Sequence, residues 1–211
     1  MEEIYVFRFK QYYELGKVTE EIFPGKRLAD RYDSCSTVLK ASIHGHIVGT
    51  VRITYEWDVD EFELEADYKE KIREGVHRYA EISRFCIDKY FRGSFNSKSN
   101  LYVKLFSEVY RHCIRNKVDK VILSALKAHR PIYGKFGFVT TSDEFVMGKF
   151  KYSYFLMEAN VHYSNVKDLH ARQVFKKAHE EETCAFDENE NPKKSIKCFT
   201  DFQGQNRCIE S

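Results

Sequence analysis

Long apolar runs are missing from this chain. No stretch of its 211 residues approaches the ~20 that a membrane-spanning helix needs, which excludes an integral helical membrane segment. Charge of one sign is missing too. Lys and Arg number 34 against 32 Asp and Glu, and a net charge of +2 gives no overall field of the kind that marks nucleic-acid binders. Met1 to Phe9 contains neither a basic leader nor a small-residue cleavage site, so a secretory signal is not expected and a cytoplasmic location is. The six cysteines (Cys35, Cys86, Cys113, Cys184, Cys198, Cys208) include no C-x-x-C pair, which argues against zinc and for free thiols. The eight histidines include no H-E-x-x-H spacing, so no metal site is expected.

With 43% hydrophobic residues the chain has enough apolar surface to build one core without disulfides. One domain over residues 1–180 is expected, followed by a polar tail or appendage at 181–211 that shows no sustained period. Ile4 to Phe9 alternates like an edge strand, and Gln11 to Phe23 reads as a polar helix that stops at Pro24-Gly25. Thr37–Ile43 and Ile47–Ile53 form an antiparallel hairpin about His44-Gly45-His46. Leu64, Tyr68 and Ile72 predict an amphipathic helix, and Tyr79–Ile87 a long strand. Leu101, Leu105, Val109 and Cys113 mark a helical stripe, which Ser97 or Ser99 is placed to cap. Lys120–Leu126 is a buried central strand. Pro131 starts a short helix that Gly137 ends, Tyr154–Val161 is a last strand, and a helix runs from about Asn165 to His179. The result is a mixed α/β sheet whose strand–helix–strand middle forces a parallel pair.

Three segments carry chemistry. In Ala80-Glu81-Ile82-Ser83-Arg84-Phe85-Cys86-Ile87-Asp88, Glu81 and Arg84 would point to opposite faces of a flat strand, so a shared site requires a bulge between them. Tyr133-Gly134-Lys135-Phe136-Gly137-Phe138 follows one helix and one strand later. Upstream, Asp30 and Asp33 precede a hairpin that ends in Gly49-Thr50-Val51-Arg52. Each segment also has a plain structural reading: an exposed ion pair on an amphipathic strand, a helix stop packed by aromatics, and turn capping by the two aspartates.

In order and spacing these segments resemble the GNAT N-acyltransferases, over roughly Ala29 to Phe138, and within them the long-chain N-acyl amino acid synthases and the acyl-homoserine-lactone autoinducer synthases. The only tryptophan is Trp57, and none lies where the autoinducer enzymes carry an aromatic-rich upstream segment, which favours the amino acid synthase branch. The resemblance implies a sheet with a splayed central parallel strand pair, beside which a pantetheine arm lies as a pseudo-strand, and no tightly bound cofactor. The co-substrate is acyl-CoA or the phosphopantetheine thioester of an acyl carrier protein. Phe85, Cys86, Ile87, Arg92, Gly93 and Ser94 would hold that donor. The loop after the strand has one glycine, Gly93, where acetyl-CoA enzymes have more, which suits a single phosphodiester better than a CoA pyrophosphate. Arg92, Lys98, Lys104, Arg111 and Arg115 would form a receiving face for an acidic carrier, interrupted by Glu108.

An α-amino group of pKa about 8 is largely protonated at neutral pH, so the reaction needs a base. Glu81, through a water, is the candidate; Asp30 and Asp33 would hold the ammonium or that water; Arg52 and Arg84 would fix the substrate carboxylate or lactone oxygen, or orient the carboxylates. The resemblance makes Tyr133 the acid for the departing thiolate. Cys86 and Cys113 lack a histidine partner in sequence and read as small buried hydrophobes rather than nucleophiles. Competing readings are an autoinducer synthase using S-adenosylmethionine, an acetyl-CoA-dependent acetyltransferase, and a non-catalytic acyl-carrier or lipid-binding module.

Overall fold

The computed structural model describes residues 1–55, 57, 60, 62, 64, 66–92, 100–146, 152–184, 199–201 and 205–207. Helix α1 (Glu2–Glu14) comes first, followed by the strands β1 (Thr37–Ile43) and β2 (His46–Tyr55) and helix α2 (Ala66–Glu74). Strand β3 (Tyr79–Ile87), helix α3 (Leu101–Arg115), strand β4 (Lys120–Leu126) and helix α4 (Arg130–Lys135) form the middle of the chain. The short strands β5 (Val139–Thr140) and β6 (Phe145–Val146), strand β7 (Ser153–Asn160) and helix α5 (Leu169–Cys184) follow, and β8 (Phe199–Asp201) and β9 (Gln205–Arg207) make a small separate hairpin. The main sheet has seven strands in the order β1-β2-β3-β4-β7-β5, with β6 also paired to β7. The mixed α/β architecture expected from the sequence is the one observed.

The chain falls into two compact units, Met1–Ile53 with Ser83–Leu105 and the β8–β9 hairpin in the first, and Thr54–Ile82 with Phe106 onward in the second. In the first unit, β1 and β2 pair antiparallel from Thr37↔Ile53 to Ile43↔His46. Their two-residue turn holds both His44 (φ 50°) and Gly45 (φ 79°) in the left-handed region, as a hairpin turn matched to strand twist requires. Gly49 on β2 is obligatory for another reason: a Cβ there would lie 2.8 Å from Leu105 Cδ1, so its absence lets the start of α3 sit against the strand.

The start of the chain departs from expectation. Ile4 to Phe9 is helical, not a strand, and the helix ends at Glu14 rather than at Phe23. Its buried residues are Ile4, Arg8, Phe9 and Gln11, a helical spacing in which two of the four are polar. Glu2 and Glu3 sit in the first turn, where the helix dipole favours them, and Gly16 (φ 68°) provides the left-handed exit, with Gly16 N donating to Tyr13 O and Lys17 N to Tyr12 O.

In the second unit, Phe62, Ile122 and Leu156 form a core against which Leu64 and Ile72 of the α2 region pack. β4 pairs with β7 along its whole length, from Lys120↔Asn160 to Leu126↔Tyr154. The parallel ladder between β3 and β4 covers only Tyr79↔Lys120, Ala80↔Val121 and Glu81↔Ile122, although the strands are nine and seven residues long. A parallel pair that parts after three residues is the splayed pair anticipated from the sequence. Two boundaries also shift. Asn100, not Ser97 or Ser99, which lie outside the described residues, caps α3 by accepting from Val103 N at 3.3 Å. The last helix starts at Leu169 instead of Asn165, because Asp168 caps it through Ala171 N at 2.9 Å, and it continues to Cys184.

Candidate active site

The bulge required by the Glu81–Arg84 spacing lies at Arg84, whose φ of 51° puts a non-glycine residue in the left-handed region, at a cost of about 1–3 kcal/mol. Both Glu81 and Arg84 are buried. A strained, charged residue inside a sheet persists only where its surroundings hold it, and here the hold is electrostatic.

In the first unit Arg84 belongs to a cluster of five buried or nearly buried charges. Its Nη2 pairs with Asp30 Oδ2. Arg52 Nη1 lies 2.5 Å from Asp30 Oδ1 and 3.5 Å from Asp33 Oδ1, and its Nε donates to Ser83 Oγ at 2.9 Å. Arg8 of α1 reaches Asp33 Oδ1 at 2.6 Å. The side chains of Arg8 and Arg52 are fully buried, those of Asp33 and Arg84 nearly so, and Asp30 keeps 20% of its surface. Asp30 is thus the rim of the cluster. Burial works to raise its pKa, but Arg84 and then Arg52, by charge and hydrogen bond, outweigh that and hold its carboxyl below the ordinary range.

Turn capping and the charge cluster coexist. Asp30 Oδ1 accepts from Tyr32 N at 3.0 Å while Asp33 Oδ2 accepts from Asp30 N at 3.1 Å, a capping box around the 3-10 turn Arg31–Ser34. The turn fixes both carboxylates, and their remaining oxygen capacity faces arginines rather than an empty ammonium seat. Three guanidinium groups and two carboxylates make the cluster, in which Arg8 Nε and Nη2 are buried with no hydrogen-bond partner among the described residues. Arg8 was not assigned from the sequence because an arginine inside a stretch that alternates like a strand reads as outward-facing. Its only sequence signal is its spacing from Ile4 and Gln11 on a helix.

The residues expected to hold the donor continue along β3. Phe85 lies with its ring 5.7 Å from Tyr102. Cys86 is buried with Sγ 3.2 Å from Thr50 Oγ1, and burial pushes its thiol above the ordinary range. Ile87 O accepts from Arg92 Nε at 2.8 Å. Gly93, Ser94 and Lys98 lie outside the described residues.

In the second unit Glu81 occupies the last rung of the β3–β4 ladder. Tyr133 sits on α4, its ring edge-on to Phe106 and Phe138 at 6.0 Å each. Gly137 after it has φ 93°, and a Cβ there would fall 2.6 Å from Asn165 O. The Tyr-x-Lys-x-Gly-Phe segment therefore needs its glycine twice over. An apolar pocket is lined by Ile82, next in sequence to Glu81, by Phe106, which contacts Tyr133, and by Val121, Phe138, Tyr110 and Phe175.

Two arginines of the expected receiving face for an acidic carrier are ion-paired within the second unit. Arg111 is bonded to Glu181 and Glu182 and lies 3.5 Å from Glu108, and Arg115 Nε lies 2.6 Å from Glu182 Oε2, so both arginines are occupied by α5 and α3 carboxylates. The sequence reading placed Glu181 and Glu182 in a tail, whereas they are in the last turn of α5. Arg92 and Lys104 belong to the first unit and Arg111 to the second. Among the described residues no cluster of His, Cys, Asp and Glu is arranged to hold a metal, and no helix is long and apolar enough to cross a membrane.

Comparison with known proteins bears on the fold and the family. The family model for N-acyl amino acid synthase FeeM matches residues 3–160. Among solved structures, FeeM, an N-acyl amino acid synthase from uncultured soil microbes, is 17% identical, with 73% of this chain and 86% of that chain covered and a TM-score of 0.57. The CoA-dependent acyl-homoserine lactone synthase BjaI, with SAM and isopentyl-CoA, is 16% identical over 86% of this chain and 81% of that one, at a TM-score of 0.55. The AHL synthase LasI is 15% identical over 76% and 82%, at 0.54. No curated protein sequence matches.

Proposed function

Because the chain belongs to the FeeM family of N-acyl amino acid synthases, and is thereby an N-acyltransferase acting on an amine, we propose that it joins a long-chain acyl group to the α-amino group of an amino acid. The donor is a thioester on the phosphopantetheine arm of an acyl carrier protein or of CoA. The reading rests on one observation above others: Arg84 lies beside Asp30 at the rim of a buried charge cluster. Arg84 at that rim attracts the carboxylate that distinguishes an amino acid from a simple amine. In a poorly solvated site that attraction is worth far more than in water.

Asp30 and Asp33 act as positioning residues, fixing Arg84 and Arg52 rather than holding the ammonium. Glu81, through a water, takes a proton from the ammonium group. The freed nitrogen attacks the thioester carbonyl, its oxygen faces the backbone of the bulged strand, and the carbon–sulfur bond breaks. Tyr133 gives its proton to the departing thiolate and is reprotonated through water by the second proton that the nitrogen sheds as the amide forms, and the apolar pocket beside Ile82 and Phe106 takes the acyl chain. A cytoplasmic location goes with this reading, supported by the free thiols of Cys35, Cys86 and Cys113.

The test is mass spectrometry of products from purified protein supplied with a long-chain acyl donor and mixed amino acids. Formation of N-acyl amino acids is expected, with Glu81→Gln slower by ~10²- to 10⁴-fold while the fold is kept. An unchanged rate in Glu81→Gln would remove the base from the mechanism, and consumption of S-adenosylmethionine with lactone formation would move the protein to the autoinducer branch.

A further inference from the structure

Thr50 on β2 is fully buried, and the mechanism above does not use it. Its branched Cβ suits a strand, but a valine there would fill the same space with no hydroxyl to satisfy. A buried hydroxyl needs partners, and this one finds both on β3: Oγ1 donates to Arg84 O at 3.4 Å and lies 3.2 Å from Cys86 Sγ. All three residues belong to the first unit. Arg52, two residues on and so on the same face of β2, reaches β3 as well, its Nε donating to Ser83 Oγ at 2.9 Å. Two side chains of β2 thus grip β3 at Ser83, Arg84 and Cys86, at the bulge and on either side of it.

Just past the end of β3 the two strands are joined backbone to backbone, with Asp88 N donating to Val48 O at 2.9 Å. A bulge disrupts such a ladder locally, and at Arg84, with φ 51°, the carbonyl of the bulged residue accepts from a side-chain hydroxyl of the neighbouring strand. The peptide bond between Arg84 and Phe85 is trans, so its carbonyl and its N–H point in opposite directions. Turning Arg84 O toward Thr50 therefore turns the other edge of that peptide away from β2. On that side of β3 the ladder to β4 has its last rung at Glu81. The orientation of this one peptide decides how the bulged strand meets the thioester oxygen as negative charge gathers on it.

We propose that Thr50 is a positioning residue for acyl transfer, its buried hydroxyl holding the Arg84–Phe85 peptide in the orientation that stabilises the oxyanion. The proposal rests on the acyl-transfer reading given above and adds a residue behind its bulged strand. Arg84 is then anchored twice, its guanidinium by Asp30 and its carbonyl by Thr50. The first anchor serves the acceptor and the second serves the reacting carbonyl. Being fully buried, Thr50 acts through the strand rather than on a substrate. Its effect belongs to the transition state, so losing the hydroxyl should lower kcat and leave both KM values in place.

The experiment compares the wild type, Thr50→Val and Thr50→Ser, with thermal melts confirming that each is folded. Initial rates are measured with a long-chain acyl thioester, carried by CoA or by an acyl carrier protein, and an amino acid, each varied in turn. Thr50→Val keeps the shape and loses the hydroxyl; kcat is expected to fall about 10- to 100-fold, with donor KM and acceptor KM each within about 3-fold of the wild type. Thr50→Ser keeps the hydroxyl and is expected to restore most of the rate. If Thr50→Val is unfolded at the assay temperature, Thr50→Ala is measured in its place with the same expectations. An unchanged kcat without the hydroxyl, a loss expressed in either KM, or a Thr50→Ser protein as slow as Thr50→Val overturns the proposal. A wild type that transfers from no thioester overturns the acyl-transfer reading itself.

Discussion

Arg8 and Asp33 form one ion pair, yet the structure predicts opposite consequences for losing either end of it. Removing the carboxylate with Asp33→Asn leaves Arg8 and Arg52, both fully buried, facing a single remaining aspartate. Stranding buried charge in this way costs about 3–5 kcal/mol, a large part of the ~5–15 kcal/mol that stabilises a typical domain. Arg8→Met removes one buried cation and with it two buried donors, Nε and Nη2, that have no hydrogen-bond partner among the described residues. Each such donor carries a penalty of about 1–3 kcal/mol, which offsets the lost bond to Asp33. Asp33 is not stranded in return, because Asp30 N still donates to its Oδ2 at 3.1 Å and Arg52 remains 3.5 Å from Oδ1. Arg8→Met should therefore stay within about 1 kcal/mol of the wild type. What it should lose is attraction for the acceptor, with KM for the amino acid rising on the order of 10-fold as a charge is withdrawn from behind the rim. Urea denaturation gives the stabilities from midpoints at constant slope, and initial rates at varied amino acid concentration give the KM. The reasoning fails if Arg8→Met costs 3 kcal/mol or more, or if Asp33→Asn is the milder change.

Three further outcomes are expected. Burial holds His112 at a pKa of about 4, so the unfolded state binds the extra proton between pH 6.5 and 4; stability should be full above about pH 6.5 and fall by about 3 kcal/mol on acidification through that window. Denaturant midpoints between pH 7 and pH 4 measure the fall, and His112→Gln should flatten that part of the profile. Gly137→Ala puts a Cβ 2.6 Å from Asn165 O at φ 93° and should cost about 2 kcal/mol or more, seen as a Tm lower by several degrees; an unchanged Tm would deny the left-handed stop after Tyr133. Phe175 stacks on Tyr110 at 5.0 Å where both line the apolar pocket, so Phe175→Ala should shift the preferred acyl chain toward longer donors in a chain-length series at a stability cost of about 3 kcal/mol.

Where the sequence could be read and where it could not follows from what each residue has to satisfy. The strands Thr37–Ile43, Tyr79–Ile87 and Lys120–Leu126 were legible to the residue because their apolar positions, turn glycines and neighbouring breakers agree with one another. The Arg84 bulge was legible as well, since only a break in the pleat lets residues three apart both turn inward. Helix α1 was not, and the reason bears on function. Its buried face spends two of four positions on Arg8 and Gln11, so the apolar period that identifies a helix is erased where the helix delivers its polar side chains. Arg8 completes the carboxylate cluster and Gln11 braces Arg92, each through bonds to residues more than 20 positions away in sequence. A helix built only to pack would have filled those positions with leucine or isoleucine and been easy to recognise. The same substitution of polar for apolar accounts for Glu182, read as part of a tail but buried in α5 against Arg111 and Arg115. Periodicity thus fails where a buried position is occupied for its charge. In this chain the departures at α1 mark the arginine that completes the charge cluster and the glutamine that holds Arg92.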